Sequence, residues 1–190
     1  MNTKVLAATI VFAALTVALN PAVSGIGVPA FYAPYLIYGL WEIPIVAAFL
    51  LLSPASAIAI AVLNSAVLLA IFPGALPIGP IYNLIAVSTT LLGLYIARKF
   101  VKNETSKTKE GLKIVAASTI IAIFLRVVVM TLVNYVTLQQ PYPIGFELSE
   151  ILVIATLPFT ALFNATVVLY VIPVGEFIAN VVKSRLKLEG

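Results

Sequence analysis

The stretch Arg98–Lys113, RKFVKNETSKTKEGLK, is the longest strongly polar run in a chain that is apolar almost everywhere else. It contains six of the eleven Lys and Arg residues. Short basic loops stay on the cytoplasmic side of a bilayer, so this run predicts the orientation of the chain. Lys4 precedes the first apolar run, and Lys183, Arg185 and Lys187 follow the last, which predicts the same side for both termini.

The composition is typical of an integral membrane protein. Of the 190 residues, 62% are hydrophobic and 9% charged, whereas soluble domains are about a quarter charged. The sequence has no Cys, His or Asp, which excludes disulfides, thiol catalysis and metal sites built from His or Cys. The net charge of +4 follows the topology and indicates no nucleic acid partner. We therefore expect no cofactor, no metal ion and no enzyme activity.

Six apolar segments, separated by Pro and Gly residues, predict an all-α bundle of six transmembrane helices. The bundle is expected to form a single membrane domain over residues 1–190, multi-pass in the plasma membrane, with N and C termini cytoplasmic. The predicted spans are residues 4–20, 35–53, 55–72, 80–100, 112–138 and 148–172.

Both ends of the chain have alternative interpretations. The first segment can also be a signal peptide, although no small-x-small cleavage site precedes Asn20-Pro21. Pro173 is expected to break or kink the last helix. Residues 174–187 then form an amphipathic helix on the cytoplasmic surface, and a fraying helix end is the alternative.

Several polar side chains lie inside the predicted spans, where facing lipid would be costly, so we expect them to share a cavity or contact one another. Six of the eight Tyr residues and the only Trp lie at or near the outer side. They either anchor the membrane interface or form flat walls of a pocket for a small, planar, polar molecule. Arg126, the only basic residue deep inside a span, either binds that molecule or forms a structural ion pair, for which Glu42, Glu147 and Glu150 offer carboxylates on the outer side. The candidate binding residues are Glu42, Asn64, Asn83, Asn134, Thr160, Asn164, Arg126, Tyr35, Trp41 and Tyr135.

Five short motifs extend over most of the chain. They are Glu42-Ile43-Pro44, Ser53-Pro54, Gly79-Pro80-Ile81-Tyr82-Asn83, Val129-Met130-Thr131-Leu132-Val133-Asn134-Tyr135 and Leu157-Pro158-Phe159. Together they resemble the substrate-binding S components of energy-coupling factor (ECF) vitamin transporters, particularly the riboflavin-type group. The resemblance implies capture of riboflavin or a related vitamin-like molecule from outside. It also implies delivery through a complex with a transmembrane T component and two ATPase subunits.

The chain departs from the riboflavin-type pattern at three places. Thr160 stands where that group has Asn, Phe163-Asn164 where it has Lys-Gly, and Leu63-Asn64-Ser65 where it has Leu-Lys-Asn. Two basic residues on the ligand side are therefore missing. The resemblance supports the fold and the capture role more strongly than riboflavin itself.

Small residues recur on one face of the first helix, where Ala7, Ala14 and Ala18 form a stripe. Such stripes let another helix approach closely in a membrane. The resemblance implies that the T component docks there, and packing inside this bundle is the alternative.

Two functions of other classes compete with capture. A membrane enzyme usually needs Asp pairs, His–Glu metal sets or a Ser with a base, and the lack of Asp and His argues against it. A structural or assembly subunit, whose polar residues hold helices together, stays open. The sequence has no G-x-x-x-x-G-K-[ST] phosphate loop, so partner subunits would have to use the ATP.

Labelling of single cysteines tests the predicted orientation, because the chain has no native Cys. A Cys at Val23, Leu76 or Pro143 should react with a membrane-impermeant maleimide in intact cells. A Cys in the Lys102–Lys109 loop should react only after permeabilisation, since the basic loop is held inside. The reverse pattern would show that the orientation is wrong.

Overall fold

The computed structural model describes residues 3–71, 74, 76–101 and 109–186. The secondary structure is predominantly helical, with one short hairpin. The elements in chain order are α1 (Thr3–Ala18), α2 (Pro21–Ser24), β1 (Val28–Ala30), β2 (Ala33–Tyr38), α3 (Glu42–Leu51), α4 (Pro54–Ile71), α5 (Gly79–Val101), α6 (Lys109–Thr137) and α7 (Glu150–Leu186).

The length and apolar composition of four helices allow them to cross a membrane. They are Pro54–Ile71, Gly79–Phe100, Leu112–Thr137 and Glu150–Arg185. The other two long apolar segments form shorter helices, α1 and α3. Many large apolar side chains on the outside of the bundle are exposed, as expected for surfaces that contact lipid. The predicted membrane protein is confirmed at this level.

Helix α3 lies in the centre of the bundle, where it contacts α1, α4, α5 and α7. Its residues Glu42–Ala48 form a continuous buried run. Helices α5, α6 and α7 pack in sequence order beside it. Helices α5 and α6 approach closely at Gly93 of α5, where an added Cβ would clash with the Ala122 Cα of α6 and lie 2.7 Å from the Ala122 nitrogen. This close contact sets the spacing of the two helices that carry Thr90 and Arg126.

The segment from Pro21 to Leu40 differs from the prediction, which began a helix at residue 35. Residues Ala33–Tyr38 instead form β2, which pairs antiparallel with β1. Apolar content alone does not separate a short strand from a helix, and β-branched and aromatic side chains fit a pleated ribbon well. The chain then turns at Gly39, where a Cβ would lie 2.7 Å from Pro21 Cγ. The second helix therefore starts at Glu42.

The last helix also differs from its prediction, because α7 continues through Pro158 and Pro173 to Leu186 without a separate element. A proline removes one backbone hydrogen bond, but surrounding helices can hold such a helix together. Val171 and Ile172 just before Pro173 are fully buried. Beyond it, Glu176 forms a salt bridge with Arg98 of α5. These contacts keep the 174–186 region part of α7. The basic loop, residues 102–108, lies outside the described residues.

Candidate functional site

The guanidinium of Arg126 lies inside the bundle, and the residue is only 3% exposed. Its Nη1 and Nη2 donate to the two carboxylate oxygens of Glu42, at 2.5 and 2.9 Å. Nη1 also donates to Thr90 Oγ1 at 3.1 Å, and Nε donates to Asn164 Oδ1 at 2.8 Å. A single side chain on α6 therefore joins α3, α5 and α7.

The partners of Arg126 are themselves oriented by backbone hydrogen bonds. Thr90 Oγ1 donates to the Ala86 carbonyl, which leaves its lone pairs for the guanidinium. Asn164 Nδ2 donates to the Thr160 carbonyl, which turns Asn164 Oδ1 toward Arg126. These supporting bonds already restrict the side chains of Thr90 and Asn164, so each loses less conformational entropy when it binds the guanidinium. The cluster is therefore pre-organised.

A cavity of about 280 Å³ opens beside this cluster. It combines an aromatic and apolar wall with several polar groups, as sites for small organic molecules do. Its polar members come from four separate parts of the chain. The lining residues are Asn20, Pro21, Ala22, Tyr35, Leu36, Ile37, Gly39, Trp41, Glu42, Asn83, Arg126, Phe163, Val167 and Tyr170.

The β-hairpin forms one wall of the cavity and is fastened to α7. Tyr170 Oη donates to the Gly39 carbonyl at 2.6 Å. The hydroxyl of Tyr38 lies 2.7 Å from Thr166 Oγ1 and 2.6 Å from the hydroxyl of Tyr32. Burial and the hydrogen bond with Tyr38 raise the pKa of Tyr32 above its ordinary value. These hydroxyls link the turn of the hairpin to Thr166 of α7.

Five of the residues predicted from the sequence line this one cavity: Tyr35, Trp41, Glu42, Asn83 and Arg126. Asn164 is buried behind it and reaches it only through Arg126. The structure thus brings together residues that are up to 91 positions apart, from Tyr35 to Arg126. It also joins Arg126 to Glu42, the ion pair considered from the sequence.

Four other predicted residues do not line the cavity. Asn134 is turned to its own helix, where Nδ2 donates to the Met130 carbonyl at 2.7 Å. Tyr135 Oη of α6 donates to Oε1 of Glu150, the first residue of α7, across the loop that joins these two helices. Thr160 is buried and contributes its carbonyl to Asn164. Asn64 of α4 is fully buried, and neither amide atom has a hydrogen-bond partner among the residues that the structure describes.

The stripe predicted on α1 faces outward. Ala7, Ala14 and Ala18 are all exposed, whereas Ala13 and Thr16 on the opposite face are buried. Packing among the described residues therefore leaves the stripe uncovered. Ala14 and Ala18 also line an apolar groove of about 690 Å³ between α1 and α4.

Tyr170 was not predicted as a binding residue, and neither was Asn20. Its position in an Asn-Pro pair at the end of an apolar run indicates a helix boundary, and the structure confirms that reading, since Asn20 caps α2. Only the folded chain shows that its amide faces the same cavity as Arg126. Within the described ranges no group of three or more His, Cys, Asp or Glu side chains could hold a metal ion.

Comparison with solved structures finds the same fold elsewhere. A structure described as showing the structure and mechanism of the S component of a bacterial ECF transporter matches with a TM-score of 0.75. The match covers 98% of this chain and 99% of that chain, at 23% sequence identity. At this identity the likeness shows a shared fold, and it confirms the fold that the short motifs implied. No family model and no curated protein sequence matches the chain.

Double substitution tests the role of the buried ion pair. Glu42→Leu or Arg126→Met alone should lower the free energy of unfolding by about 3–5 kcal/mol, because each leaves an uncompensated buried charge. The free energy of unfolding of the double variant should fall by clearly less than the sum of the two single losses. Chemical unfolding in detergent micelles measures these differences.

The pair Arg98 and Glu176 offers a matched control, since its side chains are 33% and 19% exposed. Because solvent screens this pair, Arg98→Met and Glu176→Leu should each cost only about 0–1 kcal/mol. Additive losses at Glu42 and Arg126 would contradict the assigned coupling.

Proposed function

We propose that this chain is the substrate-binding S component of an ECF-type transporter, and that it captures a vitamin-like small molecule from outside the cell. One observation carries the proposal: the S-component fold encloses a cavity whose aromatic wall adjoins buried polar groups. A purely structural subunit requires no such space. The alternative, an assembly subunit without its own ligand, draws its support from the Arg126 cluster, which ties four helices together.

The binding residues in this proposal are of two kinds. Tyr35, Trp41, Glu42, Asn83 and Arg126 line the cavity and are able to contact a bound molecule. Asn164 supports Arg126 from behind. Asn64, Asn134, Thr160 and Tyr135 would reach a ligand only after a rearrangement, because the hydrogen bonds or burial described above hold them elsewhere. Riboflavin or a related compound is the proposed ligand, on the basis of the sequence resemblance.

The remaining parts of the proposal concern topology and delivery. Six transmembrane helices in the plasma membrane, with both termini cytoplasmic, would place the cavity toward the outside, consistent with the basic residues of the loop and tail. The T component would dock on Ala7, Ala14 and Ala18, and two ATPase subunits would supply the energy. The exposure of this stripe supports the docking role.

Mass spectrometry tests the capture function directly. The protein is purified in mild detergent, washed and denatured, and the released small molecules are identified. We expect one heteroaromatic compound in near-stoichiometric amount, because a buried site holds its ligand through purification. An empty protein that binds none of the vitamins tested would support the assembly subunit instead.

Bulky substitutions on the stripe separate capture from delivery. Ala14→Trp and Ala18→Trp should leave ligand binding by the isolated protein unchanged, since both residues are exposed and lie outside the cavity lining. Uptake by cells and co-purification with the T component should be lost, because a large side chain prevents close helix approach.

Ile120→Trp is the matched control, because Ile120 is 67% exposed on α6. It should retain both binding and uptake. If Ala14→Trp abolishes binding by the isolated protein, the docking surface lies elsewhere.

A further inference from the structure

The side-chain amide of Asn20 is buried, only 4% exposed, and lines the cavity. Its Oδ1 accepts a hydrogen bond from the Ala22 backbone nitrogen at 3.1 Å. This bond fixes the orientation of the amide, because the opposite orientation would set two donors against each other. The Nδ2 group, which carries two N–H donors, has no hydrogen-bond partner in the described part of the chain.

An unpaired buried donor is uncommon in native proteins and calls for an explanation. Four other buried side-chain atoms among the described residues also lack a partner, on Asn64, Arg98 and Ser118, and none of these residues lines this cavity. Among the residues with such an atom, Asn20 is the one that lines this cavity. A molecule in the cavity that accepts a hydrogen bond would satisfy it.

Arg126 adds a second unused donor to the same cavity. A guanidinium has five N–H groups, and the four hydrogen bonds to Glu42, Thr90 and Asn164 use four of them. Among the described residues, one N–H of Nη2 has no acceptor. The positive charge, in contrast, is already compensated, since both carboxylate oxygens of Glu42 bind the guanidinium.

These features restrict the charge of the occupant. An anion would meet the carboxylate of Glu42 without a free positive charge to bind it. A cation would face the donors of Asn20 and Arg126. An uncharged molecule with carbonyl or ring-nitrogen acceptors satisfies the donors and adds no charge to a buried site. Trp41, Phe163 and Tyr170 provide apolar surface for a planar ring.

We infer that Asn20 binds the ligand, and that the ligand is an uncharged, planar heterocycle that accepts hydrogen bonds from Asn20 Nδ2 and the free N–H of Arg126. This inference rests on the proposed capture function and specifies its ligand class and an additional binding residue.

Matched probes test the charge of the ligand. Riboflavin and its phosphate ester FMN share one ring system, and nicotinamide and nicotinate share another, with the second member of each pair anionic. Thiamine serves as a cation. Thermal unfolding of the full chain in detergent is followed with each probe. We expect stabilisation by the uncharged member of a pair and little by its charged partner.

Two substitutions test the donor of Asn20 against its role as a cap. Asn20→Asp keeps an oxygen for the Ala22 N–H and removes both N–H donors but adds a charge, and Asn20→Ser adds no charge and replaces the two N–H donors with one hydroxyl on a shorter side chain. Asn20→Ser should leave the unfolding temperature of the unliganded protein nearly unchanged, whereas Asn20→Asp should lower it because its carboxylate is buried. Both should weaken binding of the stabilising probe about ten- to hundredfold. Calorimetric titration measures the affinity. Asn180→Asp, an exposed position on α7, is the control and should bind like the parent chain.

The outcomes distinguish this inference from the proposed function. Stronger binding of FMN, nicotinate or thiamine than of the uncharged probes would leave capture intact and overturn the ligand class. Parent-like affinity in both Asn20 variants would overturn the role of Asn20. If no probe binds, the compound released from the denatured protein becomes the probe, and its charge at neutral pH decides. If nothing is released either, capture itself fails.

Discussion

The structure depends on how one buried positive charge is compensated. Moving an ion of this size from water into a medium of low dielectric costs of order 20 kcal/mol in the idealised limit. Arg126 is tolerated because Glu42 supplies both carboxylate oxygens and two neutral oxygens accept two further N–H groups. Since the partners come from α3, α5 and α7, the relative position of four helices is constrained by this one side chain. The bundle cannot shift there without leaving a charge uncompensated.

The same constraint shapes the cavity. Because Arg126 and Glu42 both line it, the strongest charges in the site are fixed and cancel one another. The cavity therefore offers a ligand hydrogen-bond donors in fixed directions and flat apolar surfaces. Two hydroxyls attach the hairpin wall to α7. Tyr38 of β2 hydrogen-bonds Thr166 of α7, and Tyr170 of α7 donates to the Gly39 carbonyl that follows β2. Each such bond contributes about 0.5–1.5 kcal/mol. The bonds therefore position the wall, but they are weak enough to break when the wall moves.

The sequence predicts the parts of the fold that long apolar runs determine. It predicts site residues best where a polar residue type is rare inside the spans, because few partners are then available. With one Arg deep inside the spans and three carboxylates toward the outer side, the sequence indicates Glu42 as a candidate partner. The polar helix residues were less predictable, because Asn134 satisfies its amide on the carbonyl one turn earlier instead of facing a cavity. Asn20 was missed because a capping residue and a cavity residue have the same sequence signature. The hairpin was missed because its apolar content continues into α3.

The hairpin and the shortness of α3 have one physical explanation. A helix of 10 residues rises ~15 Å, about half of a ~30 Å hydrocarbon core. If the chain crosses the membrane here, the segment before Glu42 has to reach the remaining depth without a helix. Non-helical backbone is tolerated at such depth only where it packs within protein or lines a cavity. Tyr35, Leu36 and Ile37 of β2 do line the cavity. Helix α3 therefore begins at the inner edge of the cavity. Its first residue, Glu42, lies at the boundary between the packed core and the cavity.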